Sequence, residues 1–284
     1  MKVLLVSLCV VFVLFLDTTT GRPAKRTSPI SLEGDNVLEE IGGHFEGDMI
    51  LSPEQSNAVK NGYTALTNLK KWPNGIVYYT IDTTVFTAAQ QSNIRTAMDQ
   101  IELVTCVRFV PRTDQKGYTF ISVRISQTLD MISSADCLSF PHVYYQGTAA
   151  SSCSSYLGHH GGQQKLTLQP NGCTGVGTVI HELLHTLGFA HAQSASDRDF
   201  YIDINYNAIQ DGAQNNFILY NSSLSTDFGI PYDYDSIMHY GKLSFSKDGQ
   251  PTIIPKKHNA IIGQRNGLSV KDIKRINHQY PDCY

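Results

Sequence analysis

HELLHTLGFAHAQ, residues 181–193, decides the reading of the chain. Three histidines and one glutamate stand in otherwise apolar surroundings. On a helix His181 and His185 lie four residues apart, project from one face and can share one ion. Imidazole nitrogen is a natural Zn²⁺ ligand, and a catalytic zinc site takes three protein ligands and keeps a fourth position open. Glu182 stands next to the first histidine and can polarise a water without binding the metal. Gly188 tolerates the positive φ that ends a helix, so the chain can turn and bring His191 back as the third ligand. Val179, Ile180, Leu183, Leu184 and Leu187 make the helix apolar, and unpaired histidine or glutamate would be costly to bury among them. A structural zinc site would close the fourth position with cysteine or histidine, and no such residue lies nearby. The expectation is one catalytic Zn²⁺ per chain.

Outward from this stretch, Val176 to Leu187 reads as a helix stopped by Gly188. GIVYYTID (75–82), RFVP (108–111) and TFISVRIS (119–126) are β-branched and aromatic and read as strands. KLTLQP (165–170) alternates and ends at a proline, which suits an edge strand. Thr87 can cap a helix reaching about Val104, with Ile94, Ala97, Met98, Ile101 and Val104 on one face. Ser269 with Asp272 is a capping signature for a last helix, striped by Val270, Ile273 and Ile276. Strands and a long helix come first, and a poorly patterned second half ends in a helix. The fold class expected is α+β, with two lobes plausible.

The 284 residues are 41% hydrophobic and 17% charged, which suits one or two globular domains with a sizeable core. Net charge is −3 without a basic block, so nothing points to nucleic acid. Met1-Lys2, the apolar run Val3 to Leu16 and a small polar exit describe a signal peptide over 1–21. That run is too short to span a bilayer comfortably, so a secreted, extracellular monomer with no stable membrane association is expected. Residues 22–60 are polar and mildly acidic through Glu39, Glu40, Glu46 and Asp48. Lys60-Asn61-Gly62 is basic and then turn-like, a protease-sensitive joint. The expected division is a propeptide over 22–60 and a mature domain over 61–284. Cys9 leaves with the signal. Cys106, Cys137, Cys153, Cys173 and Cys283 are disulfide candidates whose connectivity the sequence leaves open. Asn221-Ser222-Ser223 is the N-glycosylation sequon.

HELLHTLGFAH, SDRD (196–199), YDYDSIMHYGKLSFS (232–246), TCVRFVPRT (105–113), QQKLTLQPNGC (163–173) and IGQR (262–265) together resemble the astacin family of metzincin zinc endopeptidases. The resemblance covers about residues 45–284. It implies a two-lobed metzincin fold, with a mixed twisted sheet and the active-site helix in the N-terminal lobe and an irregular C-terminal lobe ending in a helix. It also implies a secreted, zymogen-activated endopeptidase acting on protein or peptide substrates.

By the same resemblance His181, His185 and His191 would hold zinc, and Glu182 would be the general base. Tyr240 would ligate zinc at rest and then turn to the transition state. Met238 would be an apolar floor. Arg265 would line the pocket just after the cleaved bond and favour an acidic residue. HFEGDM (44–49) is similar to the motif whose aspartate blocks zinc in the zymogen, here Asp48, with Gly47 letting the backbone come close to the metal. A trypsin-like protease would cut near Lys60. Cys106 would pair with Cys283 and Cys153 with Cys173, leaving Cys137 in an insertion over about 127–150. With no further cysteine-rich module following, a single protease domain is expected. The competing expectation is a protease-like secreted binding protein that does not cleave, but Glu182, Tyr240 and all three histidines are retained. One departure stands out. The family carries a glutamate directly after the third histidine to anchor the freed N-terminus, and this chain has Ala192, so that terminus would be loose or held by another group.

Overall fold

The computed structural model describes residues 37–60, 69–123, 152–220 and 228–281. The signal peptide, Asn61, Cys137 with its insertion, Asn221 and Cys283 lie outside them. No helix among the described residues is long and apolar enough to cross a membrane.

Six strands form one sheet. They are β1 (Met49–Ile50), β2 (Ile76–Ile81), β3 (Arg108–Pro111), β4 (Tyr118–Ser122), β5 (Ser154–Tyr156) and β6 (Gln163–Thr167), in the spatial order β1-β5-β6-β4-β2-β3. Only the β5–β6 pairing is antiparallel, so the sheet is mixed. Short helices α1 (Val37–Glu40) and α2 (Pro53–Lys60) flank β1. The long helices α3 (Ala88–Val104) and α4 (Val176–Leu187) pack together against the sheet. After α4 the chain runs through single 3₁₀ turns and the small antiparallel pair β7 (Ile202–Ile204) and β8 (Ile253–Pro255), and then ends in α5 (Val270–Gln279).

Local chemistry explains the helix ends. Thr87 accepts from the Gln90 amide and Gln90 Oε1 accepts from the Thr87 amide, a reciprocal cap on α3. Ser269 and Asp272 do the same for α5. Gly188 closes α4 at φ 100°, where a Cβ would press on Leu69.

Two sequence expectations need correction. Val104 and Val270 do not complete their stripes, being 38% and 70% exposed. The inner face of α5 is Asp272, Ile276 and Gln279, because Asp272 is drawn inward by Ser236 and the Ile237 amide. The KLTLQP stretch is not an edge either: β6 lies between β4 and β5. Its Pro170 falls after the strand has ended, so it removes no ladder hydrogen bond.

The two expected lobes correspond to two apolar clusters. One joins the sheet, α3 and α4 through residues such as Val77, Ile94, Ile121, Leu166 and Leu183. The other gathers Ile202, Phe217, Tyr232, Tyr240, Phe245 and Ile253. α5 belongs by its packing to the first, since Ile276 and Tyr280 sit in that core and the Tyr280 hydroxyl donates to the Leu187 carbonyl at 2.8 Å. A third, smaller cluster of Met49, Leu157 and Tyr220 exists only because residues 44–51 dock on the domain.

α4 is buried from Val179 to Leu187, so even its backbone serves its neighbours. Trp72 Nε1 donates to the Thr186 carbonyl at 2.8 Å, and Thr186 shares a 2.8 Å hydrogen bond with Ser155. Gly177 lets a second chain segment touch the helix: a Cβ there would lie 1.7 Å from the Arg265 carbonyl oxygen. Neither backbone can yield cheaply. Gly177→Ala is expected to lower stability by about 3 kcal/mol, read as a lower urea midpoint at unchanged slope.

Candidate metal centre

His181, His185, His191 and Asp48 come together in one buried cluster. α4 supplies the first two one turn apart, and the Gly188 turn returns the chain so that His191 faces them. The His181 Nε2 atom is 3.2 Å from that of His185 and 3.3 Å from that of His191. The Asp48 carboxylate lies 3.2 Å from His181 Nε2 and 3.3 Å from each of the other two. Four ligands placed tetrahedrally at zinc–nitrogen distances would be separated by about 3.3 Å. The residues fit zinc.

The tautomers lead to the same conclusion. His181 Nδ1 is 2.9 Å from the Ile237 carbonyl and His185 Nδ1 is 2.7 Å from the Phe189 carbonyl. A carbonyl only accepts, so both Nδ1 atoms carry hydrogen and both Nε2 atoms present lone pairs. His191 Nδ1 lies 2.9 Å from a carboxylate oxygen of Glu46 and also carries hydrogen. Here burial is outweighed by Asp48 and Glu46, which raise the imidazole to about 9, so its Nε2 keeps a proton until a metal ion displaces it. Three ring nitrogens this close to one point repel unless a cation, a proton or a metal ion, sits between them. Burial, and then Arg265, holds His181 down at about 4, so it is neutral and ready to ligate. Burial alone would raise Asp48, but His191 and His185 pull its carboxyl well below the usual range. Its Oδ1 has no hydrogen-bond donor among the described residues.

Glu182 is fully buried beside the cluster, with both carboxylate oxygens unpartnered among the described residues. Burial, reinforced by Asp48 and Glu39, pushes its carboxyl well above the usual range. That is the behaviour of a group poised to take up a proton. Met238 is buried on the turn that Asp272 fixes through Ser236 and Ile237, and its carbonyl accepts from the Ala192 amide at 3.0 Å. The Tyr240 ring lies 4.6 Å from that of His191, and its hydroxyl donates to the Glu46 carbonyl at 2.7 Å.

Asp48 reaches the cluster on a sharp turn. Glu46 and Gly47 both have positive φ, 46° and 84°. A Cβ on Gly47 would meet the Glu39 carbonyl at 2.5 Å, so the crowding that demands glycine comes from α1. The sequence reading attributed this glycine to the metal instead. β1 then continues the segment parallel to β5, with Ser155 N donating to the Asp48 carbonyl and Leu157 N to that of Ile50.

Sequence reasoning missed the three glutamates that dock this segment. Glu39 forms a two-pronged pair with Arg265, at 2.5 and 3.1 Å, and lies 4.0 Å from His181. Burial opposes the Glu39 charge, but Arg265 and then His181 outweigh it and lower the carboxyl. Glu40 accepts from the Phe245 amide at 2.8 Å. Glu46 accepts from Ser194 and Tyr220 at 2.8 Å each, besides His191. The available signal was a mildly acidic stretch far upstream of the zinc motif, but it does not say which carboxylate meets which donor.

Of the other expected features, Cys153 and Cys173 are joined. Cys106 is disulfide-bonded, and its expected partner Cys283 lies outside the described residues. Ala192 offers no carboxylate; it lines a cavity of about 60 Å³ with His191, Asp197, Tyr220 and Asp233. His185→Ala removes one of the three converging nitrogens. Metal analysis of the dialysed protein should show zinc falling from one per chain to a small fraction.

The family model for astacin, a peptidase family, matches residues 64–140 and 122–281. Zinc metalloproteinase nas-14 of Caenorhabditis elegans is 34% identical over 278 residues, covering 89% of this chain and 50% of that protein. Nas-15 of the same organism is 37% identical over 250 residues, covering 83% of this chain and 39% of that one, so the chain spans about half or less of these two relatives. High choriolytic enzyme 1 of Oryzias latipes is 38% identical over 240 residues, covering 83% of this chain and 77% of that protein. The solved structure of that hatching enzyme zinc-protease superposes with a TM-score of 0.60 at 36% identity, over 75% of this chain and 94% of the other. The chain belongs to the astacin family of zinc peptidases.

Proposed function

We propose that the protein is a secreted zinc endopeptidase made as a zymogen, with residues 1–21 as signal peptide, 22–60 as propeptide and 61–284 as the protease domain. The observation that carries this reading is the Asp48 carboxylate, set 3.2–3.3 Å from all three histidine Nε2 atoms. With zinc held by the three histidines, Asp48 would fill the remaining position in place of water and keep the enzyme latent.

Bound by His181, His185 and His191, zinc would supply Lewis acidity to the scissile carbonyl and to the attacking water. Glu182 takes the proton of that water and passes it to the leaving amine, and no described side chain competes for its carboxylate. Tyr240, released from the Glu46 carbonyl, donates to the oxygen that gains negative charge. Removal of β1 frees the outer edge of β5, and an extended peptide can add there through main-chain hydrogen bonds. Arg265 would take an acidic side chain just after the cleaved bond, with Glu39 as its stand-in in the latent form. Lys60 ends α2 and is exposed, so a trypsin-like protease can reach the joint with Asn61.

Trypsin-treated, zinc-loaded protein should cleave a denatured protein substrate, and intact substrate would overturn the endopeptidase reading. Glu182→Gln should keep its zinc and lose at least about 10³-fold in kcat/KM, since proton transfer and water activation fail together. Asp48→Ala should shorten the lag before activity appears when trypsin is limiting. An unchanged lag would remove Asp48 as the plug.

A further inference from the structure

The three histidines are not supported alike. His181 and His185 lean on the carbonyls of Ile237 and Phe189, which belong to the domain itself. His191 leans on Glu46, which belongs to the segment that docks over it. The Glu46 carboxylate is buried and saturated: it meets His191 Nδ1 at 2.9 Å, Ser194 Oγ at 2.8 Å and Tyr220 hydroxyl at 2.8 Å. Ala192, beside His191, carries no acceptor of its own, and its side chain opens on the small cavity beneath.

A carboxylate on the far nitrogen of a metal-ligating imidazole fixes the tautomer, orients the ring and makes the ligating nitrogen a stronger donor to the metal. We propose that Glu46 is a positioning residue for zinc: it aims His191, so residues 44–49 hold the metal more tightly in the zymogen as well as blocking it. This rests on the reading of 22–60 as a latency segment, but it assigns a second role to a different residue. Asp48 occupies the open side of the metal, and Glu46 tightens the protein side. When the segment leaves, His191 loses its only carboxylate on Nδ1 among the described residues, and the mature form grips zinc less firmly.

The test is zinc affinity of the full-length zymogen, measured by competition with a chromophoric chelator. Glu46→Ala should weaken zinc by about 10–100-fold and Glu46→Gln by less, the usual range for loss of such a partner. Ser194→Ala and Tyr220→Phe leave the His191 contact in place and should change affinity less than about 3-fold. Glu46→Ala could act only by releasing Asp48, so the cycle with Asp48→Ala separates the two. The loss should persist when Asp48 is already alanine. Glu46→Gln, which keeps the shape of the segment, should also alter the visible absorption of the Co²⁺-loaded zymogen. No loss in the Asp48→Ala background, with superimposable Co²⁺ spectra, overturns the inference. Latency is read from the activation lag and not from affinity, so either reading can fail alone.

Discussion

The constraint on which the structure rests is electrostatic: three imidazole Nε2 atoms converge on one point inside an apolar core. α4 buries two of them among leucines, isoleucine and valine, where an uncompensated polar group is costly. Each ring is fixed from behind by an acceptor, and those acceptors come from three places. The Phe189 carbonyl is supplied by the turn that ends α4. The Ile237 carbonyl stands on the turn that carries Met238, the methionine turn, which Asp272 ties to the start of α5. The third acceptor is Glu46, from far upstream. The C-terminal elements thus serve the centre through backbone groups, and this explains why Asp272 is buried while Val270 is exposed.

The docked segment is shaped by the same electrostatics. It brings carboxylates to a region rich in donors: Arg265, the Phe245 amide, Ser194, Tyr220 and His191. Each buried acid finds a partner of opposite charge or a directed hydrogen bond, the condition under which burying a charge is tolerable. The parallel β1–β5 pairing and the Met49–Leu157–Tyr220 cluster add apolar and backbone anchoring. Mild acidity in a polar stretch turns out to be complementarity to a particular surface.

Much was legible in residue patterns because the forces are local. Capping boxes at Thr87 and Ser269 act over three residues, and the bounds of α3, α4 and α5 follow from them and from Gly188. Four-residue spacing puts His181 and His185 on one face in any helix. The reading failed where the cause was distant. The alternation of KLTLQP suggested an edge, but strand order depends on β5 folding back from residue 154 and on β1 arriving from residue 49. Gly47 was read as letting the backbone come close to the metal, yet the crowding atom is the Glu39 carbonyl on another element.

The sequence by itself determined the chemistry: a zinc-binding histidine set, an adjacent glutamate, the family and the α+β class, because ligand type and helical spacing depend on only a few consecutive residues. Tertiary structure decided the partners. That Glu39 meets Arg265, that Glu46 stands behind His191 and that Asp48 sits at the apex of three nitrogens all involve residues more than a hundred positions apart. Such pairings are set by how the sheet, α4 and the methionine turn pack, since a side chain carries its own charge and hydrogen-bonding capacity but not the address of its partner.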